Sequence, residues 1–256
     1  DLRLSRGLGD VYKRQAMQSS RISFAILFFV MVFLVSCCHK KINTGYDGDH
    51  PLNPKHTYFV LQTILLQGPE DVQMPLASMV GSGVAFRGTN KFTDILTAGH
   101  VCAVPEGAIE IGATQDVIVF DITGHQYSAE VYAIDPINDL CALRIKERRP
   151  TIKLASRNPD IGDKVYAAGY PSGFYNPGTL HFVDGYFGGV DTMRTGSYTL
   201  PSAPGSSGSA ITNGKGELIG IVSAVLSEFN NVTIGPSVEP IALFMILTEE
   251  CDAYCI

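Results

Sequence analysis

From residue 57 onward the apolar residues fall in short, β-prone segments separated by Gly- and Pro-rich turns, and this pattern restricts the fold most. The candidate strands form two sets, at residues 57–67, 77–87, 92–97, 108–121, 126–134 and 140–145, then 164–169, 179–188, 192–200, 209–212, 218–225 and 232–238. Residues 146–162 are charged and separate the sets, and residues 239–249 are expected to form a closing helix. The prediction is an all-β chain with two packed six-stranded antiparallel barrels and a C-terminal helix.

Composition allows a sizeable core and argues against nucleic acid as a partner. Apolar residues make up 45% of the 256 residues, charged residues only 17%, and the net charge is −6. This mild acidity argues against nucleic acid as the main partner, because phosphate binding needs clustered Lys and Arg. The cysteines and histidines show no zinc-binding spacing, so neither a metal nor a cofactor is expected.

The N-terminal region is expected to lie outside the folded domain. Residues 1–15 resemble translated sequencing-adaptor sequence, and residues 17–36 contain an apolar run too short to span a membrane comfortably, which is typical of a signal peptide. The run ends in LVSC, which resembles the lipobox of bacterial lipoproteins and implies that Cys37 carries a lipid. An ordinary secretory signal and an uncut membrane anchor are the alternatives. Each implies an exported, periplasmic or cell-surface protein, attached to a membrane in two of the three, with residues 37–56 as a tether and residues 57–256 as the domain.

The segment LTAGHVC around His100 is the strongest local motif. It resembles the TAGH segment of the trypsin/chymotrypsin family of serine peptidases, and this resemblance implies that His100 is the general base. Histidine suits that role because its pKa lies near neutral pH.

Two acidic residues could serve as the partner of His100. The segment DPINDLCAL resembles the family's Asp-containing strand, and in that alignment Asp139 is the triad carboxylate. Asp135 competes with it. Asp139 is preferred because an apolar strand begins directly after it, 39 residues beyond His100.

The segment PGSSGSA resembles the nucleophile loop of the same family. The resemblance implies that Ser207 attacks the scissile carbonyl and that the N–H groups of Gly205 and Ser207 form the oxyanion hole. The order His, Asp, Ser excludes an α/β-hydrolase, in which the serine comes first.

Two further segments, GSGVAF at residues 81–86 and AGYPSG at residues 168–173, resemble HtrA/Deg-type peptidases. The chain departs from trypsin at Ser206, where trypsin has the Asp that pairs with a new N-terminus, so no such activation is expected. With 49 residues after Ser207, a PDZ domain of the kind that HtrA/Deg proteins carry is not expected.

The family alignment also implies a specificity pocket, formed by Pro201, Ser202, Ser223, Ala224 and Val225. Its uncharged base and its bulky Val225 favour a small or medium aliphatic residue before the cut.

Two cysteines lie near the predicted triad. Cys102 follows His100 by two residues and Cys141 follows Asp139 by two, so the triad would bring them together, either as a disulfide or as two buried thiols.

The leading hypothesis is a serine endopeptidase that acts on proteins or peptides. The alternatives are a catalytically weak relative that binds peptides by strand addition, and a structural or adhesive surface lipoprotein.

Overall fold

The computed structural model describes residues 50–68, 72–226 and 229–254. The predicted leader, the signal peptide, the lipobox with Cys37 and most of the tether lie outside these residues. In the described part, no helix is long and apolar enough to cross a membrane. The helices there are α1 (Gly99–Cys102), α2 (Glu106–Glu110) and α3 (Val238–Tyr254), with 3₁₀ turns at Pro54–His56 and Pro171–Gly173.

The first half of the domain is a closed antiparallel barrel, as predicted. Its strands are β1 (Thr57–Gln67), β2 (Gln73–Gly88), β3 (Thr93–Ala98), β4 (Thr114–Phe120), β5 (Gln126–Asp135) and β6 (Leu140–Ile145), in the order β1-β2-β3-β6-β5-β4. Alternate residues point inward, and Tyr58, Val60, Ile95 and Leu143 fill the interior.

Residues 106–110 differ from the prediction, because the segment predicted as a strand at residues 108–121 begins with the helix α2. Pro105 precedes this helix and Glu106 occupies its first turn, both of which favour a helical start. Ile109 and Ile111 remain exposed and Ala108 is the one buried residue of the helix, so the segment lacks the alternate buried residues of a strand. The strand begins only at Thr114.

The second half is a seven-stranded sheet rather than a six-stranded one. Its strands are β7 (Lys164–Gly169), β8 (His181–Val190), β9 (Thr195–Tyr198), β10 (Ala210–Thr212), β11 (Leu218–Ile221), β12 (Ala224–Leu226) and β13 (Phe229–Pro236), in the order β11-β10-β7-β8-β9-β13-β12. The outermost strands, β11 and β12, are consecutive in the chain, so the sheet curls back on itself.

The extra strand arises from a change of partner within residues 218–225. The Val222 N–H donates to the Ser209 carbonyl, whereas the Ser223 N–H donates to the Ile234 carbonyl. The chain therefore leaves β10 and joins β13 at this point, and the predicted single strand becomes β11 and β12.

One apolar cluster joins the two halves and the C-terminal helix. It contains Leu96 and Leu140 from the barrel, Leu218 from the second sheet, and Ile241 and Phe244 from α3, all at most 5% exposed. The helix extends five residues beyond the predicted end at residue 249. Because residues of both halves and of α3 pack together in this cluster, the two halves are held in a fixed position relative to each other.

Candidate active site

His100 and Asp139 are brought together by adjacent strand ends. The chain leaves β3 at Ala98 and turns into α1, which carries His100, while Asp139 immediately precedes β6, the strand paired with β3. The Asp139 carbonyl accepts from the Gly99 N–H at 2.8 Å, and its carboxylate Oδ1 accepts from the His100 N–H at 2.8 Å. These two hydrogen bonds from backbone N–H groups fix the positions of His100 and Asp139 relative to each other.

The side chains of His100, Asp139 and Ser207 form a continuous hydrogen-bonded line. The His100 Nδ1 lies 2.9 Å from Asp139 Oδ2, and the His100 Nε2 lies 2.9 Å from Ser207 Oγ. The imidazole is 45% exposed and the carboxylate 28%, so the line opens onto solvent.

The competing carboxylate, Asp135, has a different set of partners. Its oxygens accept from the N–H groups of Ile137 and Asn138 and from the Asn138 side-chain amide, at 2.6–3.2 Å. Asp135 therefore caps the turn that leads to Asp139.

The Asp139 carboxylate is held in its ionised form. Burial raises the pKa of Asp139, but hydrogen bonds from His100 and Ser223 lower it by more, so the pKa lies below its ordinary value. The Ser223 hydroxyl donates to Oδ2, the same oxygen that faces His100 Nδ1. Ser223, predicted as a pocket residue, thus also contacts the carboxylate.

The loop that carries Ser207 depends on two glycines with left-handed backbone. Gly205 has φ of +89° and Gly208 has φ of +84°. A Cβ on Gly205 would lie 2.5 Å from the Gly173 nitrogen, and one on Gly208 would lie 2.0 Å from the Ser82 carbonyl oxygen. A side chain at position 205 would push the loop away from the turn that contains Gly173, and one at position 208 would push it away from the barrel.

Ser82, the middle residue of the GSG motif, ties this loop to the first barrel. Its N–H donates to the Ser207 carbonyl at 2.7 Å, and its hydroxyl donates to the Gly205 carbonyl at 3.0 Å. The hydroxyl also accepts from the Tyr170 N–H at 2.9 Å, and the Ser82 carbonyl accepts from the Thr97 hydroxyl at 2.7 Å. Ser82 is fully buried, and all its polar atoms are paired.

The N–H groups of Gly205 and Ser207 donate to no other residue in the described part of the chain. The Pro204 carbonyl accepts from the Ser172 N–H. Because the carbonyl and the N–H of a trans peptide point in opposite directions, this contact turns the Gly205 N–H away from the Ser172 turn. Both amides are therefore unpaired beside Ser207, as an oxyanion hole requires.

The predicted pocket residues are distributed over two walls. Pro201 and Ser202 line a small cavity beside Ser206, whereas Ala224 and Val225 lie on β12 and Ser223 precedes it. Thr233, opposite Val225 in β13, links these walls, because its Oγ1 lies 2.8 Å from the Leu200 carbonyl oxygen and 3.0 Å from Ser202 Oγ.

Cys102 and Cys141 form a disulfide in the structure. Both are buried, and the bridge connects α1 directly to β6. It therefore joins the segment of His100 to the segment of Asp139. Among the described residues, no group of three or more His, Cys, Asp or Glu is placed to hold a metal ion.

Comparison with known families identifies the fold and its class. The family model described as "Trypsin-like peptidase domain" matches residues 81–221, more than half of the chain. The chain belongs to the trypsin-like peptidase family. The matched range contains His100, Asp139 and Ser207.

Two known proteins are similar to this chain. A protein of Synechocystis sp. named as serine protease HhoA is 26% identical over 149 residues, which cover 54% of this chain and 36% of that protein. The crystal structure of the serine endoprotease from Yersinia pestis matches with a TM-score of 0.58 at 22% identity, covering 77% of this chain and 64% of that chain. The chain thus spans about a third of the first relative, and the second likeness bears on the fold alone.

Sequence reasoning missed three contacts of this site. The GSG motif drew attention to Ser82 without revealing its hydrogen bonds, Ser223 was assigned only to the pocket, and Thr233 was not singled out. The partners of these residues lie at least 15 positions away in the chain, so no local pattern could reveal them.

Proposed function

We propose that this trypsin-like peptidase domain is a serine endopeptidase whose triad is His100, Asp139 and Ser207. The line from Asp139 through His100 to Ser207 Oγ, with two 2.9 Å contacts, is the observation that carries the proposal. In it, His100 Nε2 takes the Ser207 proton as Oγ forms a bond to the substrate carbonyl carbon.

The remaining steps follow from the same residues. The N–H groups of Gly205 and Ser207 stabilise the negative oxygen of the tetrahedral intermediate. His100 then donates its proton to the leaving amine as the C–N bond breaks, which leaves an acyl group on Ser207. Water attacks this ester with His100 again accepting a proton, while Asp139 holds the imidazole and stabilises its charged form.

The proposed substrate preference is a small or medium aliphatic residue before the cut. No Asp, Glu, Lys or Arg lines the cavity beside Pro201 and Ser202, and His181 is its one ionisable lining residue. The buried Thr233 lies 3.0 Å from Ser202 through its Oγ1, and Val225 is its partner in the neighbouring strand. Peptide-library profiling is expected to show enrichment of residues such as Ala and Val at this position, and a strong preference for Lys, Arg or Glu would contradict the proposal.

The proposed domain layout is a signal peptide at residues 17–36, a tether at 37–56 and the peptidase domain at 57–256, with lipidation at Cys37. The likeness to serine proteases supports protein or peptide substrates and, more weakly, export. A mass shift on Cys37 in the protein isolated from membranes tests the lipidation, and an unmodified Cys37 would contradict it.

A fluorophosphonate probe tests the triad directly, because it forms a covalent bond only with an activated serine. The folded wild type and the exposed-site control Ser156→Ala are expected to be labelled, whereas Ser207→Ala is not. A wild type that binds peptides but is not labelled would favour the peptide-binding alternative.

A further inference from the structure

The loop that ends at Asp139 connects β5 to β6 as a short hairpin. Asp135 pairs with Leu140 across the two strands, so residues 136–139 form the loop between them. Pro136 occupies the first loop position, where its fixed φ suits a tight turn. Asp139 occupies the last position with a φ of +53°, in the left-handed region. Residues other than glycine rarely adopt this conformation, so contacts around the loop must hold Asp139 in it.

The left-handed backbone of Asp139 directs two of its groups toward α1. Its carbonyl accepts from the Gly99 N–H and its Oδ1 from the His100 N–H, both at 2.8 Å. A change to an extended backbone alters both φ and ψ, so the carbonyl and the carboxylate would no longer face the same helix. A Cβ on Gly99 would lie 3.1 Å from Asp139 Oδ1, so helix and loop approach closely. A small displacement of the loop therefore changes the geometry of the triad.

The Asp135 carboxylate holds the loop from its opposite end. Its Oδ1 accepts from the Ile137 N–H at 2.9 Å and from the Asn138 N–H at 3.2 Å. Its Oδ2 accepts from the Asn138 side-chain amide at 2.6 Å. Three hydrogen bonds to one side chain fix the backbone of the two residues that precede Asp139. They therefore set the direction from which the chain enters Asp139.

Three other turns in the described residues show that such a cap accompanies a left-handed residue. Their caps are Asp121, Asp191 and Asn213. Each cap accepts through Oδ1 from the N–H groups two and four positions later, at 2.8–3.1 Å. In each turn the residue three positions after the cap is left-handed. These residues are Gly124, Arg194 and Gly216. After Asp135 the left-handed residue comes one position later, and it is the proposed triad carboxylate.

We propose that Asp135 is a positioning residue for the reaction, because its capped loop fixes Asp139 in the left-handed conformation that presents the carboxylate to His100. The inference rests on the proposed function. Asp135 acts through Asp139, since its own hydrogen bonds in the described residues are confined to the loop. Without these bonds the Asp139 backbone relaxes and Oδ2 moves away from His100 Nδ1. The imidazole is then held less firmly, and its charged form is stabilised less.

The experiment compares rates of fluorophosphonate labelling in the full-length protein and two variants of Asp135. Asp135→Ala removes all three hydrogen bonds and is expected to slow labelling at least about tenfold, because a displacement near 1 Å costs on the order of 100-fold. Asp135→Asn keeps an oxygen that accepts from both backbone N–H groups, so its rate is expected within about threefold of the wild type. Equal losses in the two variants would show that the charge matters rather than the cap, and would overturn the inference.

The control variant is Asn213→Ala, which removes a cap of the same kind from a turn of the second half. Its Oδ1 accepts from the N–H groups of Lys215 and Glu217 at 2.9 and 3.0 Å. Urea denaturation is expected to show a loss of stability in this variant as in Asp135→Ala. The labelling rate of the folded control should equal that of the wild type. If Asp135→Ala is labelled as fast as the control, the role of Asp135 is structural alone and the inference is wrong.

The pH profile of labelling separates positioning from loss of folded protein, because the midpoint of its acidic limb does not depend on the amount of active enzyme. Both Asp135 variants lose the same charge, and Asp191 and Arg194, which line the cavity beside Asp139, are present in both. A displaced Asp139 stabilises the imidazolium less, so the base loses its proton at lower pH. The midpoint of Asp135→Ala is therefore expected at least about 0.5 pH unit below that of Asp135→Asn.

Equal midpoints in the two variants would contradict the inference, even if Asp135→Ala is only partly folded. Absence of labelling in the folded wild type gives a different result, because it would overturn the proposed function and the inference with it.

Discussion

Ser82 has no part in bond making, yet more of the candidate site depends on it than on any neighbouring residue of its strand. It contacts Gly205 and Ser207 from the first barrel, although both belong to the second half. Its hydroxyl is buried with two partners. Loss of that hydroxyl leaves a carbonyl and an N–H unpaired in a dry environment.

Replacing Ser82 with Ala is expected to lower the rate of fluorophosphonate labelling about tenfold. The effect is smaller than the ~100-fold loss that follows removal of an oxyanion-hole donor itself, because the amides of Gly205 and Ser207 remain. Labelling kinetics compared with the exposed control Ser156→Ala provide the measurement. A rate equal to that of the control would contradict the prediction.

Asp139 gives a prediction about pH. Its pKa is lowered by folding, so its ionised form contributes stability above its unfolded pKa of about 3.9, and this contribution is lost as the pH falls through the lower folded value. The difference in free energy of unfolding between the wild type and Asp139→Asn is therefore expected to shrink between pH 7 and pH 3. Urea denaturation at both pH values measures it. If the difference in free energy of unfolding stays constant or is larger at pH 3, the inference that folding lowers the pKa of Asp139 is contradicted.

At the scale of elements, the sequence predicted strands wherever local pattern and burial agree. Strands β1, β6 and β7 have the predicted bounds. The two errors in the type or number of elements lie where long-range contacts or local capping override the pattern, and β2 also begins four residues before its predicted start at residue 77. Residues 106–110 form a helix after Pro105, and residues 218–225 divide because Val222 and Ser223 have different strand partners.

The candidate site, like the strands, was predictable where residues close together in the chain decide the structure. His100 and Ser207 lie in short motifs whose residues are consecutive in the chain. The choice of Asp139 over Asp135 depends on a turn whose capping is visible only in three dimensions. The contacts of Ser82, Ser223 and Thr233 depend on how the two halves pack, which no local pattern records.

The Cys102–Cys141 bridge links α1, which carries His100, to β6, which Asp139 immediately precedes, and its removal tests how far the bridge stabilises the domain. In the chain-entropy model, a disulfide that closes a loop of this size contributes roughly 2–4 kcal/mol. The double variant Cys102→Ser, Cys141→Ser is expected to lose about that much free energy of unfolding in urea. Stability within 0.5 kcal/mol of the wild type, on the order of an ordinary surface substitution, would contradict the prediction.

At the scale of the whole molecule, the shared apolar cluster makes the two halves one cooperative unit. Phe244 of α3 packs in this cluster and is 5% exposed. Phe244→Ala is expected to destabilise the protein by about 3–5 kcal/mol. It should shift the loss of far-UV circular dichroism and the loss of fluorophosphonate labelling to the same lower urea concentration. Loss of labelling well before loss of secondary structure would show that the halves separate first.

The division of the triad between the halves has a consequence during protein synthesis. His100 and Asp139 belong to the first half of the domain and Ser207 to the second, which the ribosome makes after the first. While the ribosome is still making the second sheet, the growing chain holds a base with no nucleophile to activate. The proposed peptidase can therefore cut nothing, including the chain that is being made, until the second half of the domain has been made and has folded.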